Sequence, residues 1–574
     1  MALLGWYRRA VETYNGDEPT FLAMAASLAE DGDLAVDGAD RERLGSLFGE
    51  DSWMLILQRL DGGLYYSKPI AFPLLAAPFY RLLGPPGLIV LNVLALGLAL
   101  VAARCWLGRL GSPAAADWAL VSVAGAGVLL PYAGWMMSDA LQIACALGGA
   151  VLALGGTGYG ARGAKDEGSD GPTGRHRWLD GPAAAVAGGV LLGVLVTMRY
   201  PNGLLVLALG GALLGSGRRR RALQVMAAAV AAFLLVSGLT TATTGSWNPY
   251  GAPRTAFQEL DDLPADAADG VFAQRFGEHP ATHHLNWRAR IEPLTSAYAA
   301  MYFLVGRHTG LLVYFPVVLV LVPLALRRLD RSSWWLLAGF AGVALFYLLW
   351  LPRNYFGGGT FLGNRYILTG IPLLLLALRR LPRPRAWLPA WAVALLAVAS
   401  AAVSMSRPGV DRADPQNHAY AGIFRLLPYD SVAQSIGPGR RDRYWAGDLV
   451  RFVDPFAERR AAKFRLSADV PGPAEIMVAT WHDPRKLVLH VRSEQPRLVL
   501  RVDARGPAQE LHLGPALSGV DEIIELDLAA PWRRHPFWWR REPSYWVRLL
   551  HLSVRDPQGR PADAEITYLG DGTR

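Results

Sequence analysis

Two adjacent carboxylates, Asp17 and Glu18 in GDEP, open the amphipathic stretch FLAMAASLAEDGD near the start of the chain. Two chemistries suit them. Acids at the first turn of a helix cap it and complement its dipole, contributing about a kcal/mol. Acids beside a membrane bundle, shielded from bulk water, can instead act as a general base for an acceptor hydroxyl. A third acid, Asp139 in WMMSDALQ, lies between two apolar runs. An ionisable group there costs roughly 2.5–3.5 kcal/mol if it sits at the centre of a span. The plainer alternative is an interfacial helix cap shared with Ser138.

The basic complement is Lys68 in SKP, Arg199 in TMRYPNG, Arg307 in GRHTGLL, and Arg353 and Arg365 flanking PRNYFGGGTFLGNRY. Each taken alone reads as a cation snorkelling to the interface. Together, on the outer side, they run against the positive-inside bias, and an anionic ligand explains them jointly. Arginine suits phosphate because it donates paired hydrogen bonds. GGGTFLGN could wrap an anion with backbone N–H groups, but it lacks the GK[ST] ending of a nucleotide loop. His279, His283, His284 and His308 have no established zinc spacing, and a solvated loop explains them more simply than a metal. No Ser/His/Asp arrangement, HExxH or dinucleotide fingerprint is present.

The elements that must position these groups are membrane spans. The chain has 574 residues, 52% hydrophobic and 18% charged, with its apolar residues in long runs. That composition identifies a polytopic α-helical membrane bundle. The net charge of +9 does not imply nucleic acid, because the basic residues cluster in short loops. Cys105 and Cys145, both in apolar runs, read as small buried hydrophobes. About ten spans are expected, at 85–107, 115–135, 138–156, 181–198, 201–216, 222–241, 309–326, 332–351, 366–378 and 386–405. Every second loop is short and basic, as at Arg218–Arg221, and is assigned to the cytoplasm. The outer segments are then 1–84, about 136–139, about 199–200, 242–308, 352–365 and everything after 406. Residues 1–84 form a first outer loop holding the acidic pair and an interfacial segment, YYSKPIAFPLLAAPFYRLLG. The bundle follows at 85–405, with 242–308 as its long outer loop, then a linker at 406–444. Segments such as KLVLHVRS and RLVLRVDA alternate at strand period between Gly, Pro and Asp, so 445–574 is expected to be an extracytoplasmic all-β sandwich. No span precedes the outer acidic pair, so a further helix encoded upstream of Met1 is expected.

GDEPTFLAMAASLAEDGDL, YYSKPIAFPLLAAPFYRLLG, GRHTGLLVYFP and GNRYILTGIPLLLLAL resemble polytopic glycosyltransferases of the GT-C fold. The likeness covers about residues 15–405 and is to the polyprenyl- or dolichyl-phosphate-sugar-dependent branch, with its protein O-mannosyltransferases and lipid A aminoarabinose transferase. The resemblance implies that Asp17 is the catalytic acid of the first outer loop, with Glu18 beside it, and that Asp139 is the second-loop acid. It implies that Lys68 and Arg365 contact the lipid-linked phosphate; the other outer cations, Arg199 and Arg353, and Tyr366 of the Arg-Tyr motif, complete the expected donor site. The implied reaction moves a sugar, with inversion, from a polyprenyl-phosphate-linked donor to an extracytoplasmic glycan, lipid or protein. It requires no cofactor and is compatible with a divalent metal. The C-terminal β region lies outside the shared core and is a candidate carbohydrate-binding or acceptor-docking module. Two rival classes remain: a lipid-carrier flippase, which also needs cations for phosphate but no outer acid pair, and a wall-anchoring or sensing protein, which needs far fewer spans.

Overall fold

A computed structural model describes residues 17–48, 55–60, 63–155, 177–249, 254–257, 293–306, 309–327, 330–351, 355, 363–378, 380–397, 427, 450–453, 462–466, 474–480, 486–503, 508–514, 519–527 and 546–570. The chain divides into two compact units, one of residues 1–290, 310–351 and 362–400, the other of residues 291–309, 352–361 and 401–574.

The first unit begins with α1 (Glu18–Glu30), whose FLAMAAS face is buried all round. Its polar neighbour α2 (Gly38–Phe48) is tied to its end by Arg43, which pairs with Glu30, Asp31 and Asp40. Strands β1 (Leu55–Leu60), β2 (Gly63–Tyr66) and a later β3 (Arg254–Phe257) form an antiparallel sheet of order β2-β1-β3. The Ile56 N–H donates to Thr20 Oγ1 at 3.0 Å, and the Ser67 N–H donates to the Ile56 carbonyl at 2.9 Å. These two bonds carry the residue after Ser67, which is Lys68, to the first turn of α1. Helix α3 (Ala71–Leu83) buries Phe72, Ala76 and Ala77 while Leu74, Leu75, Leu82 and Leu83 stay exposed, the pattern of an apolar helix with one face left to another solvent.

Among the described residues, three helices are long and apolar enough to cross a bilayer: α4 (Pro86–Leu107, 22 residues), α9 (Arg219–Thr244, 26 residues) and α10 (Arg331–Trp350, 20 residues). Shorter apolar helices between them are α5 (Pro113–Gly125), α6 (Asp139–Leu154), α7 (Pro182–Met198) and α8 (Gly203–Gly215). Leu98, Leu223 and Leu235 are among many outward-facing apolar side chains, a surface that a bilayer solvates and water does not. Several expected spans are broken. The run 309–326 is two helices, Leu311–Tyr314 and Val318–Leu326, and 366–378 is a 3₁₀ turn followed by α11 (Ile371–Leu376). Pro316 between the first two and Pro372 at the start of α11 each remove a backbone donor, so apolar length does not become helix length. Helices α7 and α9 pack closely because Gly189 and Gly193 of α7 face α9: a Cβ on either would meet the Val225 or Ala229 carbonyl at 2.4 or 2.3 Å. Arg221, read from sequence as a cytoplasmic charge, is 8% exposed and donates to the carbonyls of Leu152, Ala153, Leu179 and Asp180. It therefore closes the carboxyl end of α6, whose last carbonyls have no partner within the helix.

The second unit holds strands β4 (Val450–Val453), β5 (Ala462–Leu466), β6 (Ala474–Thr480), β7 (Lys486–Ser493), β8 (Leu498–Asp503), β9 (Gln509–Leu513), β10 (Val520–Asp527), β11 (Trp546–Arg555) and β12 (Ala564–Gly570), in two sheets of order β10-β7-β12-β5 and β4-β6-β11-β8-β9. All pairs are antiparallel except β4 with β6. Leu489 and Val491 of β7 (Lys486–Ser493) and Leu498, Leu500 and Val502 of β8 (Leu498–Asp503) belong to one buried cluster. His490 and Arg492 fall on the other face of β7, the period-two pattern read from the sequence.

Candidate active site

Asp17 occupies the N-cap position of α1, yet its side chain makes no capping hydrogen bond. Its two oxygens face cations instead: Oδ1 is 2.8 Å from Lys68 Nζ, and Oδ2 is 2.9 Å from Arg365 Nη2. Asp139, in the first turn of α6, forms the second half of the cluster. Its Oδ1 lies 2.9 Å from Arg199 Nη2, and its Oδ2 lies 3.9 Å from Arg365 Nη1. Arg365 thus bridges both acids. Arg199 also donates from Nη1 to the Arg365 carbonyl at 2.9 Å and lies over the Tyr366 ring at 4.9 Å. Tyr366 in turn stacks on Tyr347, 4.1 Å between ring centroids and 16° between planes. Tyr366 supports the cation Arg199 through its ring face.

The local backbone explains why these groups converge. The Asn364 Oδ1 accepts the Tyr366 N–H at 2.9 Å and starts the 3₁₀ turn that carries Arg365. Gly363 before it has φ +65°, and a Cβ there would lie 2.8 Å from Tyr314 Cβ, so the turn requires glycine. On the Asp139 side, Glu18 Oε1 accepts the Met136 N–H at 2.7 Å. Asn92, fully buried in α4, donates both amide hydrogens, to the Trp135 and Met137 carbonyls at 2.8 and 2.9 Å. The loop that delivers Asp139 is therefore held from two sides, and Glu18 is a holder of that loop.

Asp17 is 8% exposed, Glu18 3%, Lys68 9% and Asp139 2%. Burial pushes the Asp17 carboxyl up, but the Lys68 ammonium and the Arg365 guanidinium outweigh it and hold the group well below the usual carboxylate range. Burial would lower Arg365, and Asp17 and Asp139 keep it raised. Such a cluster can exchange partners: an entering anion competes with the two aspartates for the same three cations.

Of the residues singled out in the sequence, the structure brings together Asp17, Asp139, Lys68, Arg199, Arg365 and Tyr366, with Glu18 one residue away on α1. Arg307, Arg353, the GGGT segment and His279, His283, His284 and His308 lie outside the described residues. Among the described residues, no three His, Cys, Asp or Glu side chains group as metal ligands. Sequence reasoning missed Asn92, although a lone amide inside GLIVLNVLAL was a visible signal, and it missed Tyr347, which nothing distinguishes from other aromatic residues in a span.

The first unit is thus a membrane-type helical bundle with a buried cluster of acids and cations. No protein-family profile matches the chain, and no curated protein does. Among solved structures it is similar to ArnT from Cupriavidus metallidurans bound to undecaprenyl phosphate, at 14% identity and TM-score 0.41 over 76% of this chain and 66% of that one. It is similar to the arabinosyltransferase EmbB from Mycobacterium smegmatis, at 12% identity and TM-score 0.33 over 99% and 63%. It is also similar to the Archaeoglobus fulgidus oligosaccharyltransferase tethered with an acceptor peptide, at 14% identity and TM-score 0.33 over 69% and 47%. The chain spans less than two thirds of the length of each of these three.

Proposed function

We propose that this chain is a multi-pass membrane glycosyltransferase moving a sugar from a polyprenyl-phosphate-linked donor to an extracytoplasmic acceptor hydroxyl, with inversion at the anomeric carbon. The observation that carries the reading is the double ion pair at Asp17, one oxygen on Lys68 and the other on Arg365. Those cations are the partners a phosphate needs, and the carboxylate between them is the base an acceptor needs. Paired as it is, Asp17 is a weak base. When the donor phosphate takes Lys68 and Arg365, the loss of each cation lets the Asp17 pKa rise back toward the ordinary carboxylate range. The base is then strengthened only where donor is bound.

Asp17 accepts the hydroxyl proton while the acceptor oxygen attacks the anomeric carbon. The bond from that carbon to the phosphate oxygen breaks, and its electron pair leaves with the lipid phosphate. Lys68, Arg365 and Arg199 stabilise the developing charge. The proton on Asp17 then passes to the lipid phosphate or to water. Neither nucleotide nor metal is needed for this balance, although a divalent ion could assist at the phosphate. The acceptor is a cell-envelope glycan, lipid or protein. The two-sheet region is read as a β-sandwich on the outer side of the membrane, where it would dock that acceptor.

The test is incubation of purified protein in detergent with a panel of polyprenyl-phosphate sugars, reading release of polyprenyl phosphate. Detergent offers no second compartment, so release reports transfer. Donor binding without release, across acceptor extracts of the native envelope, would overturn the reading and favour a lipid-carrier transporter.

A further inference from the structure

Beside the ion pairs runs a second, uncharged set of contacts. Thr369 Oγ1 donates to Asn202 Oδ1 at 2.9 Å, Asn202 Nδ2 to Gln142 Oε1 at 3.3 Å, and Gln142 Nε2 to Ser138 Oγ at 2.9 Å. None of the four is more than 5% exposed. Their placement follows that of the charged residues. Ser138 and Gln142 flank Asp139 on α6, Asn202 is three residues after Arg199, and Thr369 is four after Arg365. Each charged group therefore shares a short segment with a member of the polar chain: Asp139 and Gln142 lie in the first turns of α6, extended Arg199 leads into the 3₁₀ turn Tyr200–Asn202, and Arg365 opens the 3₁₀ turn that precedes Thr369, while Ser138 holds Gln142 from within its own segment. Buried amides and hydroxyls are costly unless satisfied, and this chain closes only when the three segments stand at one spacing.

In the mechanism proposed above, the ion pairs change partners in every cycle. They therefore cannot also be what keeps the segments apart at a fixed distance. We propose that Ser138, Gln142, Asn202 and Thr369 are positioning residues: their neutral hydrogen bonds fix the spacing of the three segments that carry Asp139, Arg199 and Arg365. Arg199 and Arg365 then stay aimed at the phosphate while Asp17 and Asp139 release them. The inference rests on the donor reading for its ligand.

The test compares Thr369→Val, which keeps shape and loses the donor, with Thr369→Ser, which keeps the donor. Binding of a polyprenyl monophosphate in detergent micelles should weaken about tenfold in Thr369→Val and stay at the wild-type level in Thr369→Ser, with melting temperatures within a few degrees of each other. Ser138→Ala, at the far end of the chain, should weaken binding in the same direction, and it carries the test if Thr369→Val does not fold. Wild-type binding in both Thr369→Val and Ser138→Ala overturns the inference. Equal weakening in Thr369→Val and Thr369→Ser does so as well, because packing would then be the cause. Absence of binding by the wild-type protein strikes the donor reading instead. The spacing is then read from the acid limb of thermal stability. Thr369→Val should move that limb to higher pH, since Arg365 reaches Asp17 from the tethered segment, and Thr369→Ser should not. A uniform loss of stability at all pH values would overturn it.

Discussion

Asp17→Asn keeps the shape of the side chain and removes its charge. That charge lies 2.8 Å from Lys68 Nζ and 2.9 Å from Arg365 Nη2, and the side chains of both cations are about a tenth exposed. Removing one partner of a buried pair costs about 3–5 kcal/mol, because the other charge is left buried without a counter-ion. Here two cations lose Asp17, and Arg365 keeps Asp139 at 3.9 Å. The expected loss of stability lies within that range and is several times the ~1 kcal/mol of a helix cap. An anion should restore it. Lipid phosphate no longer competes with a carboxylate in the variant, so its Kd should fall about tenfold, equivalent to about 1.4 kcal/mol. Turnover should fall by about 10²-fold or more, since the base is gone. The assays are thermal melting in detergent with and without polyprenyl phosphate, direct binding, and release of lipid phosphate. Turnover within a few-fold of wild type would refute Asp17 as the base and leave Asp139 as the next candidate. Weaker binding of lipid phosphate would refute the competition between carboxylate and phosphate.

Arg365→Met should weaken lipid-phosphate binding by about 10- to 100-fold, and Arg365→Lys should recover little of it, because one ammonium cannot serve Asp17, Asp139 and the phosphate together; wild-type affinity in Arg365→Met would show that the phosphate lies elsewhere. The acid limb of stability carries a sign. Asp17 titrates below its ordinary value, so its contribution is fully present above pH ~3.9 and is lost as pH falls through the lowered value. Lys68→Met should therefore shift the acid limb to higher pH in melting curves between about pH 2 and 6, and an unchanged limb would refute the pairing. Glu18→Gln keeps an acceptor for the Met136 N–H and should retain most turnover, whereas Glu18→Leu should lower kcat about tenfold; equal loss in both would make the Glu18 charge, rather than its hydrogen bond, the essential property. Reporter fusions should place residues 159–177 and 327–331 in the cytoplasm and 260–300 and 450–574 outside; a cytoplasmic β region would overturn the assignment of the site to the outer face.

What a single sequence reveals here follows the free-energy cost of each group. Asp139 and Arg199 stand out because a charge in or beside an apolar run is expensive and demands a reason. The pairing itself was not legible: Asp17 and Arg365 are 348 positions apart, and no local pattern specifies which acid meets which cation. Long apolar runs gave α4, α9 and α10, but runs containing Pro316 or Pro372 gave fragments, because hydropathy counts side chains and a helix also needs backbone donors. The period-two segments KLVLHVRS and RLVLRVDA became β7 and β8 with the buried face expected, since alternation is itself the burial pattern. Asn202, Gln142 and Thr369 gave no warning. Neutral amides and hydroxyls occur in any loop or helix end, and their cost appears only once burial and partners are known. The consequence for this site is specific. The charged groups that must change partners during the proposed turnover are the ones the sequence displays, whereas the neutral groups that must stay fixed are visible only in three dimensions. A reading confined to Asp17, Lys68 and Arg365 would therefore describe the chemistry while leaving out what holds its geometry constant.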